Sequence, residues 1–271
     1  MTTQPIGVFD SGLGGLTVVR ALQRRLPHEQ LVYLGDTARV PYGTKSATTV
    51  IRYASQIAQF LLALDVKYLV VACNTASAHA LTYLEQTLPI PVLGVVEPGA
   101  HAAAGVCGSG QVGVIGTLGT VDSGAYQRAI QLMRPDLTIF SQPCPLLVPL
   151  AEEGWLEHPV TSEVVRHYLQ ELQAHAGNLD TLVLGCTHYP LLRQVIASEA
   201  ERVFGHPVKL VDSAEATAEA AEGDLRERNL LSKARLEADR FFFTDVNRFA
   251  EVAGRFLGRP VTGAELADLS I

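Results

Sequence analysis

Three features of this chain predict an α/β fold of two similar domains with mainly parallel sheets. Apolar runs of strand length alternate with helix-period stretches, the order that yields parallel sheets. Two of these runs, Tyr68 to Ala72 and Thr181 to Gly185, end in a cysteine followed by polar residues and a helix-like stretch. Gly7-Val8-Phe9 is echoed by Gly113-Val114-Ile115, as Cys73 is by Cys186, which reads as a weak internal duplication. The expected domains are residues 1–97 with 210–271 on the Cys73 side and 98–209 on the Cys186 side. A pseudo-twofold is expected to relate them, with the site in the cleft between them.

Ile6 to Phe9 is predicted to be a short buried strand, with Asp10-Ser11-Gly12-Leu13-Gly14-Gly15 as the loop at its end. A helix follows, with Leu16, Val19, Leu22 and Leu26 on one face and Pro27 as its stop. Leu31 to Gly35 is a second strand, and Asp36 to Lys45 is too polar and too rich in breakers to be other than a loop. Val50, Ala54, Ile57, Ala58 and Leu61 mark an amphipathic helix leading to the Cys73 strand, and Ser77 to Glu85 is helix-like. Pro91 to Val96 reads as a strand closed by Glu97-Pro98-Gly99.

The alternation then restarts. Gln111 to Ile115 is a strand ending in Gly116-Thr117, Leu137 to Phe140 another, and Pro143-Cys144-Pro145 a rigid link to a helix over Leu146 to Trp155 that carries Glu152 and Glu153. After the Cys186 corner come a helix over Leu191 to Val203, a strand over Val208 to Val211, and Asp212-Ser213 capping a helix over Ala214 to Arg228. Phe241 to Thr244 is a buried strand. Val246, Phe249, Ala250, Ala253 and Phe256 line the last helix, with Gly258 past its end.

Length and composition narrow the function. At 271 residues there is room for one large or two medium domains, and 48% hydrophobic with 18% charged residues describes a compact soluble protein. Polar Met1 to Pro5 and the early Asp10 leave no secretory h-region, and no apolar run approaches the ~18 to 20 residues of a membrane span, so a cytoplasmic location is expected. A formal charge of −7 argues against a nucleic-acid surface. The four cysteines form no disulfide framework and no C-x-x-C pair, so neither a structural zinc site nor a secreted scaffold has a local signature.

The Gly108, Gly110, Gly113 spacing matches G-x-G-x-x-G but runs into a strand rather than opening a helix, so it is discarded as a dinucleotide fingerprint. Cys107 and Cys144 read as small buried hydrophobes. His28, His158 and His206 adjoin prolines in turn-like sequence, and His175 lies near a polar helix end. His188, two residues after Cys186 at a strand end, is placed to polarise a thiol or hold a substrate.

Strand ends are where open α/β sheets bind ligands, and a helix N-terminus there favours a thiolate. Two thiols on two similar halves suggest opposed acid and base groups, as inversion at a carbon centre requires. A thiol, with a free pKa of about 8.5, serves as either near neutrality. The Asp10 loop adds a carboxylate, a hydroxyl and glycines that admit close backbone approach.

Phe9 to Leu16, Gly35 to Gly43, Ala72-Cys73-Asn74-Thr75-Ala76 and Gly185-Cys186-Thr187-His188-Tyr189-Pro190 resemble, in order, the signature stretches of the bacterial glutamate racemases. The resemblance covers essentially the whole chain. It implies cofactor-independent interconversion of L- and D-glutamate for peptidoglycan, with no metal and with glutamate as small-molecule partner of a homodimer. By resemblance Cys73 and Cys186 are the acid/base pair, Cys186 deprotonating the L-isomer and Cys73 the D-isomer. Asp10, Glu152 and His188 support them, with Glu153 as an alternative to Glu152. Asp10, Ser11, Pro41, Tyr42, Gly43, Asn74, Thr75, Thr187 and His188 match substrate-binding positions. The rival readings are an aspartate or hydantoin racemase, a metal-dependent hydrolase using Cys186 and His188, and a non-catalytic regulatory module.

Overall fold

The computed structural model describes residues 3–246, 249–261 and 263–269. The chain divides into two compact units, Met1–Val95 with Ala214–Ile271, and Val96–Ser213.

In chain order, the first unit begins with β1 (Ile6–Asp10), α1 (Leu16–Arg25), β2 (Leu31–Gly35), α2 (Ala47–Ala63), β3 (Tyr68–Val71), α3 (Asn74–Thr87) and β4 (Val92–Gly94). The second contains α4 (Val96–Val106), β5 (Gln111–Gly116), α5 (Leu118–Asp122), α6 (Ala125–Met133), β6 (Thr138–Pro143), α7 (Leu147–Glu152), α8 (Pro159–Gln173), β7 (Thr181–Gly185), α9 (Arg193–Phe204) and β8 (Lys209–Asp212). The chain then returns to the first unit through α10 (Ser213–Glu227), β9 (Arg240–Phe243), α11 (Phe249–Leu257) and β10 (Ala264–Leu266).

Each unit is built on its own parallel sheet, ordered β10-β9-β2-β1-β3-β4 in the first and β6-β5-β7-β8 in the second. The four strands β2-β1-β3-β4 and β6-β5-β7-β8 have the same order and the same chain sequence, so the duplication suspected from glycines and cysteines is present as topology. The central strands are buried on both faces, which is why they read as continuous apolar runs. In the second unit Leu182 and Leu184 pack with α7, α8 and α9, while Val183 faces the cluster of α4 and α6. Full burial of one such leucine is worth roughly 1.5–3 kcal/mol.

Expectation and structure differ at several places. Glu97-Pro98-Gly99 does not close a strand: β4 stops at Gly94, and these residues form the first turn of α4. A proline is tolerated there because its missing N–H has no helical partner to serve, and Glu97 complements the helix dipole. Gly99 is needed for space, since a Cβ would come within 3.0 Å of Ser213 Cβ and 3.1 Å of the Tyr126 hydroxyl. The helix expected from Leu191 starts as a 3-10 turn over Tyr189–Leu192, with Pro190 in its first positions, and α9 follows from Arg193. Val246 precedes the last helix and is exposed, because α11 starts only at Phe249. The side chains of Phe249 and Ala250 lie outside the described part. Ala253 and Phe256 are buried as expected, and Gly258 takes the left-handed φ of +77° that ends a helix.

Candidate active site

In the first unit the carboxyl ends of β1 and β3 lie side by side, with Phe9 opposite Val71. Asp10 ends β1, and Cys73 is the N-cap of α3, its Sγ accepting the Ala76 N–H at 3.4 Å. The Cys73 thiol also points to the Ser11 hydroxyl at 3.5 Å. Asp10, completely buried, accepts the Gly12 N–H on Oδ2 at 2.9 Å. Gly15 makes this corner possible: a Cβ there would lie 2.5 Å from the Asp10 Cβ and 3.0 Å from that of Ala72. Asn74 and Thr75 follow Cys73 in the first turn of α3 and are buried.

Burial pushes the Cys73 thiol up to about 12, and the Asp10 charge adds to this against the contacts with Ser11 and the Ala76 N–H. The helix N-terminus therefore does not make Cys73 a thiolate at neutral pH, because desolvation outweighs it. Tyr42 and Gly43 sit in a 3-10 turn over Tyr42–Thr44 after exposed Pro41, and Tyr42 belongs to the same buried cluster as Cys73. The Tyr42 phenol donates to Asp36, and burial of the ring, with the Asp36 carboxylate second, pushes the phenol far above its ordinary range.

The second unit builds its thiol corner differently. Cys186 directly follows β7, and its partner is not a helix N-terminus but His188, whose Nδ1 lies 3.8 Å from the sulfur and 3.5 Å from the Thr187 hydroxyl. The other ring nitrogen, Nε2, reaches Glu152 Oε1 at 2.9 Å. Glu152 ends α7, and Glu153 follows it as the residue after the helix. Burial alone would lower the imidazole, but hydrogen bonds and charge from Cys186 and Glu152 outweigh it and raise His188 to about 10. The ring lies between the Cys186 sulfur and the Glu152 carboxylate, both of which favour its protonated form.

The structure thus gathers Asp10, Ser11, Cys73, Asn74 and Thr75 on one unit, with Tyr42 and Gly43 on the neighbouring loop. On the other it gathers Cys186, Thr187, His188 and Glu152. Two further residues lie inside the signature stretches without having been given a role there. Asp36 is completely buried beneath Tyr42, and Tyr189 donates its phenol to the Cys144 carbonyl at 2.8 Å, tying the Cys186 corner to the start of α7. Cys107 and Cys144 are buried, as expected of small hydrophobes. His158 caps α8 through Nδ1, which accepts the Val160 N–H at 3.2 Å. Among the described residues no group of three His, Cys, Asp or Glu side chains is arranged to hold a metal ion, and no helix is long and apolar enough to cross a membrane.

The Asp/Glu/Hydantoin racemase family model matches residues 14–221. The chain belongs to this family. It is 51% identical to a glutamate racemase of Syntrophus aciditrophicus over 98% of this chain and 97% of that protein. Identity to the glutamate racemase of Geobacter metallireducens is 54%, over 95% and 94% of the two chains. Among solved structures, glutamate racemase from Francisella tularensis in complex with D-glutamate superposes with a TM-score of 0.90 at 37% identity, covering 99% of this chain and 98% of that one. Family membership accounts for the two α/β units with parallel sheets, and it makes the two strand-end cysteines the first place to look for chemistry.

Proposed function

We propose that this racemase interconverts L- and D-glutamate, with Cys73 and Cys186 as the two acid/base groups. The observation that carries the reading is the pair of buried strand-end thiols, each in a different electrostatic setting. Cys73 is held as a thiol by burial and by Asp10. Cys186 faces an imidazolium, the partner that a thiolate needs in a buried site. The high identity to glutamate racemases supports glutamate as the substrate.

Inversion requires the two groups to act on opposite faces of the α-carbon. From L-glutamate, the Cys186 thiolate takes the α-proton, the C–H electron pair passes into the carboxylate-stabilised carbanion, and the Cys73 thiol delivers its proton to the other face. Cys186 ends as a thiol and Cys73 as a thiolate, the starting condition for the reverse reaction. The α-proton is far less acidic than a thiol, so preorganised donors must hold the developing charge with water excluded. Ser11, Asn74, Thr75 and Thr187, with the N–H groups of the Tyr42-Gly43 turn, supply such donors for the two carboxylates, and Asp10 can receive the ammonium or assist Cys73. Glu152 holds the His188 ring, and His188 holds Cys186.

A homodimer in the cytoplasm, making D-glutamate for peptidoglycan without a cofactor, completes the proposal and rests on the family resemblance. The test is incubation of the purified, reduced protein with L-glutamate in deuterated water. Decay of optical rotation to zero with deuterium at the α-position is the expected result. No loss of rotation with glutamate, but loss with aspartate or a hydantoin, would overturn the substrate assignment. Light scattering after gel filtration checks the dimer.

A further inference from the structure

The loop that carries Tyr42 and Gly43 is fastened to a segment 208 residues later in the chain. Strands β2 and β9 pair in parallel with Gly35 opposite Phe243, and the contact continues past both strands. Thr244 donates its backbone N–H to the Gly35 carbonyl at 3.2 Å. Its hydroxyl donates to Asp36 Oδ1 at 2.9 Å and accepts the Ala38 N–H at 2.9 Å. One residue on, Thr37 and Asp245 exchange two bonds: the Thr37 hydroxyl donates to the Asp245 carbonyl at 2.6 Å and accepts its N–H at 2.9 Å.

Asp36 passes this fastening on. Its Oδ2 accepts the Tyr42 phenol and the Arg39 Nε, the latter at 2.7 Å. Arg39 in turn donates to Gln56 on α2 at 2.6 Å and lies over the Tyr53 ring, against which Tyr42 also packs. The Asp36 backbone N–H donates to the Asp10 carbonyl at 3.0 Å, so the same residue is also bonded to the first loop. A completely buried carboxylate with three side-chain donors has little freedom, and its orientation fixes where the Tyr42-Gly43 turn lies.

We propose that Thr244 is a positioning residue for the substrate: through Asp36 it sets the Tyr42-Gly43 turn, and so controls glutamate affinity rather than proton transfer. The inference rests on the reading that this turn binds substrate. A hydroxyl is required because one oxygen must both donate to a carboxylate and accept a backbone N–H. Valine, of nearly the same shape, does neither.

The test is steady-state racemisation from both isomers by Thr244→Val, Thr244→Ser and Tyr42→Phe, with melting temperatures alongside. The two isomers have equal free energies in water, so kcat/KM must be the same in both directions for every variant. With kcat little changed, KM must then rise equally from both sides. The expected rise in Thr244→Val is about fivefold or more, the factor that one ordinary hydrogen bond gives, with Thr244→Ser restoring the native KM. If Thr244→Val keeps the native KM while Tyr42→Phe raises it, the Thr244 inference is overturned and the binding turn stands. If neither variant changes KM, the hydrogen bonds to Asp36 do not govern affinity and the Thr244 inference is overturned, while racemisation in deuterated water still tests the glutamate reading on its own. A lowered melting temperature or kcat with unchanged KM would assign Thr244 a structural role only, which also overturns the inference.

Discussion

Replacing Glu152 by Gln removes one negative charge from the second unit while keeping shape and a hydrogen-bond acceptor. The charge is 2.9 Å from His188 Nε2 and is one of two partners that raise the ring to about 10 against its burial. A hydrogen bond to a charged group contributes about 1.5–3 kcal/mol. The Glu152 side chain is 34% exposed, so solvent screening places the loss near the lower end of that range. About 1.5 kcal/mol corresponds to roughly one pH unit in the titration of His188 and a tenfold change in rate.

The sign follows from which form of His188 works. The imidazolium is lost as pH rises through about 10, and in the variant this loss occurs nearer neutrality. The alkaline limb of kcat/KM should therefore move down by about one pH unit. The same ring contributes stability that is fully present below its unfolded value of about 6.5 and is lost as pH rises through about 10, so Glu152→Gln should also flatten the stability profile across that window. Above both values kcat/KM should lie about tenfold below that of the unaltered protein at the same pH, equally from both isomers because their equilibrium is fixed, and near neutrality it should change little. Isotope effects then show which thiol is affected. On the proposed assignment Cys186 removes the α-proton of L-glutamate, so slowing it raises the kcat/KM isotope effect with α-deuterated L-glutamate and lowers it with the D-isomer. Isotope effects that move together, or an alkaline limb that does not move, would refute the link from Glu152 through His188 to Cys186.

Three further outcomes are expected. Cys73→Ala and Cys186→Ala should each abolish racemisation while leaving the circular dichroism spectrum native; near-normal turnover in either would end the two-thiol assignment. With burial and Asp10 holding the Cys73 thiol up near 12, its alkylation by iodoacetamide should be slow at neutral pH and rise about tenfold per pH unit into the mildly alkaline range without levelling; a plateau near neutrality, read by peptide mass spectrometry, would contradict this. Away from the site, Lys67 and Glu29 form a buried ion pair at 2.6 Å, in which Lys67 also donates to the Leu230 carbonyl and the Ser232 hydroxyl. Lys67→Met strands the Glu29 charge and should cost about 3–5 kcal/mol in urea unfolding, with Lys67→Met/Glu29→Leu recovering most of it; a loss under ~1 kcal/mol would show that the pair is not isolated from solvent.

Much of the frame was legible in the sequence because it is written in local periodicity. Strands β1, β2, β3 and β7 are buried on both faces, and their unbroken apolar runs, each ending in a polar corner, mark both position and limit. The face of α2 read from Val50, Ala54, Ile57, Ala58 and Leu61 is the buried face. Cys73, Cys186 and His188 stood out because a thiol or imidazole at a strand end is unusual in an otherwise apolar run.

Surface helices were less legible. Of the fifteen residues of α8, the buried ones are Thr161, Val165, Leu169 and Leu172, a stripe diluted by charge, and no helix was read there. In α4 the breakers Pro98 and Gly99 hid a helix start, since both are penalised in a helix interior but not in its first turn.

The sequence by itself determined two strand-end thiols on two similar α/β units, since burial and strand limits are properties of consecutive residues. Only tertiary structure decided what each thiol faces. Cys73 caps the N-terminus of α3, yet desolvation and Asp10 hold its thiol up, while Cys186 faces His188, whose other ring nitrogen is bonded to Glu152 at the end of α7. Thr244 reaches Asp36 only because β9 returns to pair with β2 after the whole second unit has been made. Partners so distant in the chain leave no periodic trace. Sheet order selects them, and sheet order is fixed by packing summed over both units rather than by any local run of residues.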